Sequence, residues 1–144
     1  MDKRTTTKLD EILNNIDNQK DLDNYIDDDK NISKYDDFVE YFLSLDKIIK
    51  VDKSELINRS GIERTYGYQI LNKTRKPGRD KIISLCLSGK LNLNETNKAL
   101  ESAKQQLLYS RNKRDIIIIF SINNELSVDD TNYLLDYYHE ETLN

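Results

Sequence analysis

Few side chains in this 144-residue chain are set up for bond-making chemistry. The only His, His139, stands near the C-terminus beside Glu140 and Glu141. With no second His, neither a catalytic pair nor a His-based metal site can be assembled, and a solvated surface His is the simpler reading. Cys86 lies between Leu85 and Leu87, where a lone Cys packs as a small apolar group. It has no partner for a disulfide or a zinc site. The acidic run from Asp21 to Asp27 has the rhythm of a calcium loop. It carries Ile26 where such loops need Gly and Ile32 where they need the closing Glu. No glycine-rich phosphate loop is present. The remaining acid pairs sit in charge runs, the mark of a solvated face. The expectation is a protein that is not an enzyme and uses no cofactor or metal.

The informative chemistry is charge. The chain is acidic overall, with net charge -4, but unevenly so. Residues 1–46 hold 6 Lys/Arg against 13 Asp/Glu, residues 47–90 hold 11 against 4, and residues 91–144 hold 5 against 9. A basic middle inside an acidic chain suits a polyanion partner for that middle alone.

The elements that must carry this charge are helices. Only 4 Gly and 1 Pro are present, too few turn residues for a sandwich or barrel. The hydrophobic set makes up 37% and mean hydropathy is -0.76, polar yet rich enough in Ile, Leu and Tyr to build a core. No long apolar run follows Lys3 and Arg4, and Ile116 to Phe120 is too short to span a bilayer. A soluble cytoplasmic protein is therefore expected. Residues 1–6 should fray. Leu9, Ile12, Leu13 and Ile16 predict a short amphipathic helix, and a second one covers Asp21 to Asp28. Asp27, Asp28 and Asp29 mark a boundary. Phe38, Phe42, Leu45 and Ile49 predict a single helix from Tyr35 to Lys50. Asp52 and Glu55 have the spacing of a capping box. That helix breaks at Ser60-Gly61, and another runs from Glu63 to Asn72. A basic loop, 73–78, contains the only Pro. Helices then follow at 79–88, 94–104, 112–123 and 128–138.

The last four helices repeat. Setting Arg79-Asp80 on Arg114-Asp115, an offset of 35, aligns Ile82 with Ile117, Ile83 with Ile118, Leu91 with Leu126 and Leu100 with Leu135. Two helical hairpins of one design account for this, and they argue that the β-branched run Ile116 to Ile119 is helical. Its apolar residues point in every direction. One face packs on the preceding repeat, through Ile82, Ile83 and Leu87, and the rest needs the N-terminal helix or a second subunit.

The segment Lys53 to Asn72 reads as a short capped helix, a turn with Gly, and a second helix, the helix-turn-helix pattern. On a helical wheel Ile62, Tyr66 and Ile70 form its buried face, while Arg64, Thr65, Tyr68 and Asn72 project away from the core. A DNA major groove accepts such a face. Residues 38–103 resemble the lambda-repressor-like, Cro/repressor-type (XRE family) regulators. The stretch Tyr66-Gly-Tyr-Gln-Ile-Leu-Asn-Lys-Thr-Arg-Lys-Pro-Gly-Arg79 carries the likeness. The resemblance implies sequence-specific duplex DNA binding, with Arg64, Thr65, Tyr68 and Gln69 reading bases and Lys73, Arg75, Lys76 and Arg79 gripping phosphates. Gln69 borders the core face on the wheel, so its role comes from the resemblance. Two positions depart from the family: Ile57 stands where a small residue is usual, and Gly67 where Ile or Val is usual. These side chains face each other across the family's helix pair, so the exchange roughly conserves volume.

The expected architecture is all-α: an acidic helical extension (1–34), a helix-turn-helix domain (35–106), and a C-terminal hairpin (107–144) repeating 79–104. Duplex DNA is the expected partner, with the hairpin a candidate for homodimerisation and the acidic N-terminal segment a candidate for a protein partner. The alternative is a protein-interaction module on the same scaffold that does not touch DNA.

Overall fold

The computed structural model describes residues 6–27 and 37–144. Every regular element among them is an α-helix. The chain divides into two compact units, Met1–Asp36 and Asp37–Asn144.

The first unit holds α1 (Thr6–Asn14) and α2 (Gln19–Asp27). Leu9, Ile12 and Ile16 are half-buried and Leu13 is exposed. No residue of α2 is buried. Asn18 Oδ1 accepts the Asp21 N–H at 2.8 Å and so starts α2. Residues 1–5, Asp28, Asp29 and Tyr35 lie outside the described residues.

The second unit opens with α3 (Phe38–Ser44) and α4 (Asp46–Ile49). These replace the single helix expected up to Lys50. The Ser44 hydroxyl donates back to the Tyr41 carbonyl at 2.6 Å, and Leu45 is extended at φ -76, ψ 132. Side-chain bonding to the local backbone competes with the helical ladder in this way. The break rephases the apolar stripe: Ile48 is buried at 3% exposure, and Ile49, which a continuous helix would bury, is 65% exposed.

α5 (Lys53–Ser60), α6 (Arg64–Leu71), α7 (Arg79–Ser88), α8 (Leu93–Ser102), α9 (Lys113–Asn123) and α10 (Val128–Tyr137) follow as three consecutive hairpins. Asp52 caps α5 through the Ser54 N–H. The reciprocal capping box forms at Asn92 and Glu95, at the start of α8. α7 is central, with Ile82 to Ser88 all buried, and packs on α5, α8 and α10. Phe42, Leu56, Ile57, Ile70, Ile82, Ile83, Leu85 and Leu100 are sealed from solvent. Each contributes about 1.5–3 kcal/mol by burial.

The scarcity of Gly has a structural counterpart. Among the described residues, five helices end on left-handed residues that are not Gly: Lys73, Lys90, Lys104, Glu125 and His139. Each is followed by an N–H that reaches back to a carbonyl in the last turn, as from Thr74 to Gln69 and from Gln105 to Leu100. This closes the helix ends. Three of the five are Lys, whose charge suits a helix C-terminus.

The repeat holds in detail, and its Arg-Asp dipeptides pair across the two copies. Arg79 grips Asp115 with two hydrogen bonds, at 3.2 and 3.0 Å. Arg114 grips Asp80 in the same fashion, at 3.0 and 3.1 Å. Arg79 also donates to the carbonyls of Gln106 and Leu107. Arg114 donates to those of Glu141 and Thr142, 35 residues on. The exchange is reciprocal, as across a local two-fold axis. It ties 107–144 to 79–104, so residues 35–106 and 107–144, separated on sequence, share one unit from Asp37 onward.

Candidate nucleic-acid interface

α5 and α6 are joined by Gly61, Ile62 and Glu63. Gly61 adopts φ +75, a left-handed turn that Gly makes without penalty. The Ser60 hydroxyl donates to the Ile57 carbonyl and accepts the Ile62 N–H. From α7, the Ser88 hydroxyl donates to the Leu56 carbonyl at 2.6 Å. The turn is thus clamped from both sides. Ile62, Gly67, Ile70 and Leu71 form the buried face of this segment.

Gly67 permits close contact between the two helices. A Cβ added there would overlap Ile57 Cγ2 outright and stand 3.0 Å from Cγ1. The exchange of volume expected between positions 57 and 67 is therefore a direct packing contact.

Glu63 caps α6, its carboxylate accepting the Tyr66 N–H at 3.0 Å. Arg64 and Thr65 are exposed, and Tyr68 and Gln69 are half-buried. The Arg64 guanidinium lies 5.7 Å from the Tyr68 ring centre, so one face of α6 presents a cation resting on an aromatic. Tyr66, expected in the core, is only half-buried. Its ring has the Arg75 guanidinium 4.8 Å above it and Lys81 Nζ at 5.9 Å. Gly67 takes the packing position instead, because the backbone itself meets Ile57.

The loop after α6 is built firmly. The Gln69 carbonyl accepts from the Thr74 and Arg75 N–H groups. Asn72 Oδ1 accepts from the Thr74 N–H at 3.1 Å and its hydroxyl at 2.7 Å. The Arg75–Tyr66 stack then folds the loop back over α6. Such a stack leaves the guanidinium edge free to donate. Arg64, Arg75 and Lys76 are exposed and make no ion pair among the described residues.

Two of the expected phosphate ligands behave differently. Arg79 is occupied: its guanidinium is spent on Asp115 and on two backbone carbonyls. The resemblance implied a phosphate ligand here, but the fold turns Arg79 toward the second hairpin. Lys73 stands at the surface but pairs with Asp37 at 3.2 Å and Glu40 at 3.5 Å, at the start of α3. Hydrogen bonding to Asp37 and the charges of both acids raise the Lys73 pKa. Burial pushes the Asp37 carboxyl up, but bonds from Lys73 and the Val39 N–H outweigh it, leaving it below its usual value.

Sequence reasoning missed Lys81 and Glu63. Lys81 counts toward the basic segment but stands in no motif, and only the fold carries it to Tyr66. Glu63 is not one of the usual cap residues, Ser, Thr, Asp or Asn, so only the structure shows it capping α6.

Among the described residues, no group of three or more His, Cys, Asp or Glu is placed to hold a metal, and no helix is long and apolar enough to cross a membrane. No family model, curated protein or solved structure matches this chain.

Proposed function

We propose that this chain is a sequence-specific duplex-DNA-binding protein of the lambda-repressor-like helix-turn-helix kind, acting as a transcriptional regulator by binding and not by catalysis. The reading rests on one observation. The face of α6 that carries Arg64, Thr65 and Tyr68 has little packing to do, and the adjoining hydrogen-bonded loop presents Arg75 and Lys76 exposed and without an ion pair among the described residues. In this mechanism α6 enters the major groove. Arg64 donates two hydrogen bonds to a guanine edge, and Thr65, Tyr68 and Gln69 contact neighbouring bases. Arg75 and Lys76 hold the backbone, joined by Lys73 when phosphate displaces its acids, and these contacts fix the register of the helix. Arg79 has no part in the contact.

The test compares two substitutions. Arg64→Ala should relax sequence preference and cost about 1–3 kcal/mol, whereas Lys76→Ala should weaken all sequences alike. Equal, sequence-blind losses from both would remove α6 as the reader. The protein-interaction reading draws on Glu63, whose carboxylate heads the same helix. A folded chain without duplex affinity would favour it.

A further inference from the structure

The hairpin α9–α10 carries an open apolar groove of about 570 Å³, lined by Ile116, Phe120, Leu134 and Tyr138, with Arg111 and Lys113 at its edge. Ile116 is 47% exposed and Phe120 54%. The repeat shows how the matching face is treated in the first hairpin. There the counterparts of Ile117, Phe120 and Leu134 are Ile82, Leu85 and Ala99, each fully buried, with α5 packed along α7 and α3 along α8. The second hairpin keeps the face and enlarges it: Leu134 replaces Ala99, Tyr138 replaces Ala103 and Ile116 replaces Lys81. A surface patch of this kind marks an interaction site.

We propose that this groove is a homodimer interface, in which the same α9–α10 face of a second copy is seated across a two-fold axis. The charge pattern selects that occupant. Arg111, which makes no ion pair among the described residues, marks the end of the groove where α9 begins; Lys113 beside it is already held by the Tyr138 carbonyl at 2.7 Å and by Glu140 at 3.9 Å. Asp130 precedes Leu134 by one helical turn and Tyr138 by two, so it continues their stripe toward the other end, at the hairpin tip. A face that is basic at one end and acidic at the other complements itself when turned by a two-fold axis perpendicular to it. The basic end of each copy then meets Asp130 of the partner subunit, and every contact occurs twice. An acidic peptide would satisfy the basic end and be repelled at the other. The interface deepens the DNA-binding reading, since paired subunits read two half-sites, but it does not depend on it.

The experiment is sedimentation equilibrium of the full chain without DNA, up to about 100 µM. The expected species has twice the 16.9 kDa chain mass. Phe120→Asp should weaken association at least about tenfold while leaving the helical circular dichroism unchanged. Arg111→Glu and Asp130→Arg should each weaken it, and the double variant should recover it, because both copies are reversed together. A full chain that stays monomeric overturns the proposal, as does a dimer indifferent to Phe120→Asp. Failure of the double variant to recover overturns the two-fold arrangement. None of these readouts involves DNA, so a dimer without duplex affinity and a monomer with it are separable results.

Discussion

Adding one methyl group at residue 67 should strain the helix pair at the heart of the proposed DNA reader. In Gly67→Ala the new Cβ would overlap Ile57 Cγ2 and lie 3.0 Å from Cγ1. Ile57 is 1% exposed and has nowhere to swing. Overpacking of this kind costs about 1–3 kcal/mol, against a gain of about 1 kcal/mol from replacing a helical Gly by Ala. The net expectation is a loss of up to about 2 kcal/mol. Ile57→Ala opens a cavity at a sealed site and should cost about 2–5 kcal/mol. The double variant should be more stable than the sum of the two losses implies, by roughly 1–3 kcal/mol, because the new methyl enters space that Ile57 vacates. Ile57→Val is the control. Val keeps both Cγ atoms, so it should not rescue Gly67→Ala. Urea unfolding followed by circular dichroism measures the wild type and the five variants, Ile57→Val combined with Gly67→Ala among them. Additivity within about 0.5 kcal/mol would refute the contact, and so would rescue by Val.

Arg79→Ala should destabilise the fold by about 3–5 kcal/mol, because it strands a buried Asp115, yet leave the salt dependence of DNA binding unchanged below the melting range. Arg114→Ala should cost less, since its partner Asp80 is 39% exposed and can be rehydrated. A lower salt slope in Arg79→Ala would return that residue to the interface. Stability should also depend on pH at both extremes. Burial first, then the charges of Glu95 and Cys86, push the Tyr41 hydroxyl up to about 12 from its usual 10.0. The folded value lies above the unfolded one, so this contribution is intact below pH 10.0 and is lost as pH rises through about 12. Tyr41→Phe should remove that alkaline loss, and an unchanged alkaline profile would contradict the assignment. At the acid end, burial pushes the Glu95 carboxyl up, but bonds from Lys47 and the Asn92 N–H outweigh it, and it falls below its usual 4.5. Its contribution, like that of Asp37, is present above the ordinary carboxylate range and is lost as pH falls through the lowered value. Glu95→Gln should flatten the acid limb of an unfolding titration.

Much of the helical layout was legible because it depends on local signals. The paired Arg-Asp dipeptides exposed the repeat, Ser60-Gly61 ended α5, and the basic loop after Asn72 broke the apolar pattern. What stayed hidden depended on distant partners. Arg79 and Lys76 look alike in sequence, three residues apart, but one faces solvent and the other meets Asp115, 36 residues on. Lys73 reads as a free cation until α3 brings Asp37 and Glu40 beside it. The break at Leu45 was invisible for a different reason: a good apolar stripe ran through it, and neither the extended Leu45 nor the bond from the Ser44 hydroxyl to the Tyr41 carbonyl that accompanies it has a sequence signal. Tyr66 fell on the core side of the wheel, but the wheel takes no account of how closely Gly67 lets α5 approach.

The central claim, that α6 and its loop bind duplex DNA, is tested most directly by titrating the full chain onto a random-sequence duplex library by fluorescence anisotropy between about 50 and 200 mM salt. With Arg79 excluded, Lys73, Arg75 and Lys76 remain as phosphate ligands, so log affinity should fall with log salt at a slope of about -3 per subunit. Removing Arg75 and Lys76 together should reduce that slope by about 2. A folded chain that binds no duplex at the lowest salt, or one whose slope is indifferent to losing both cations, would contradict the account.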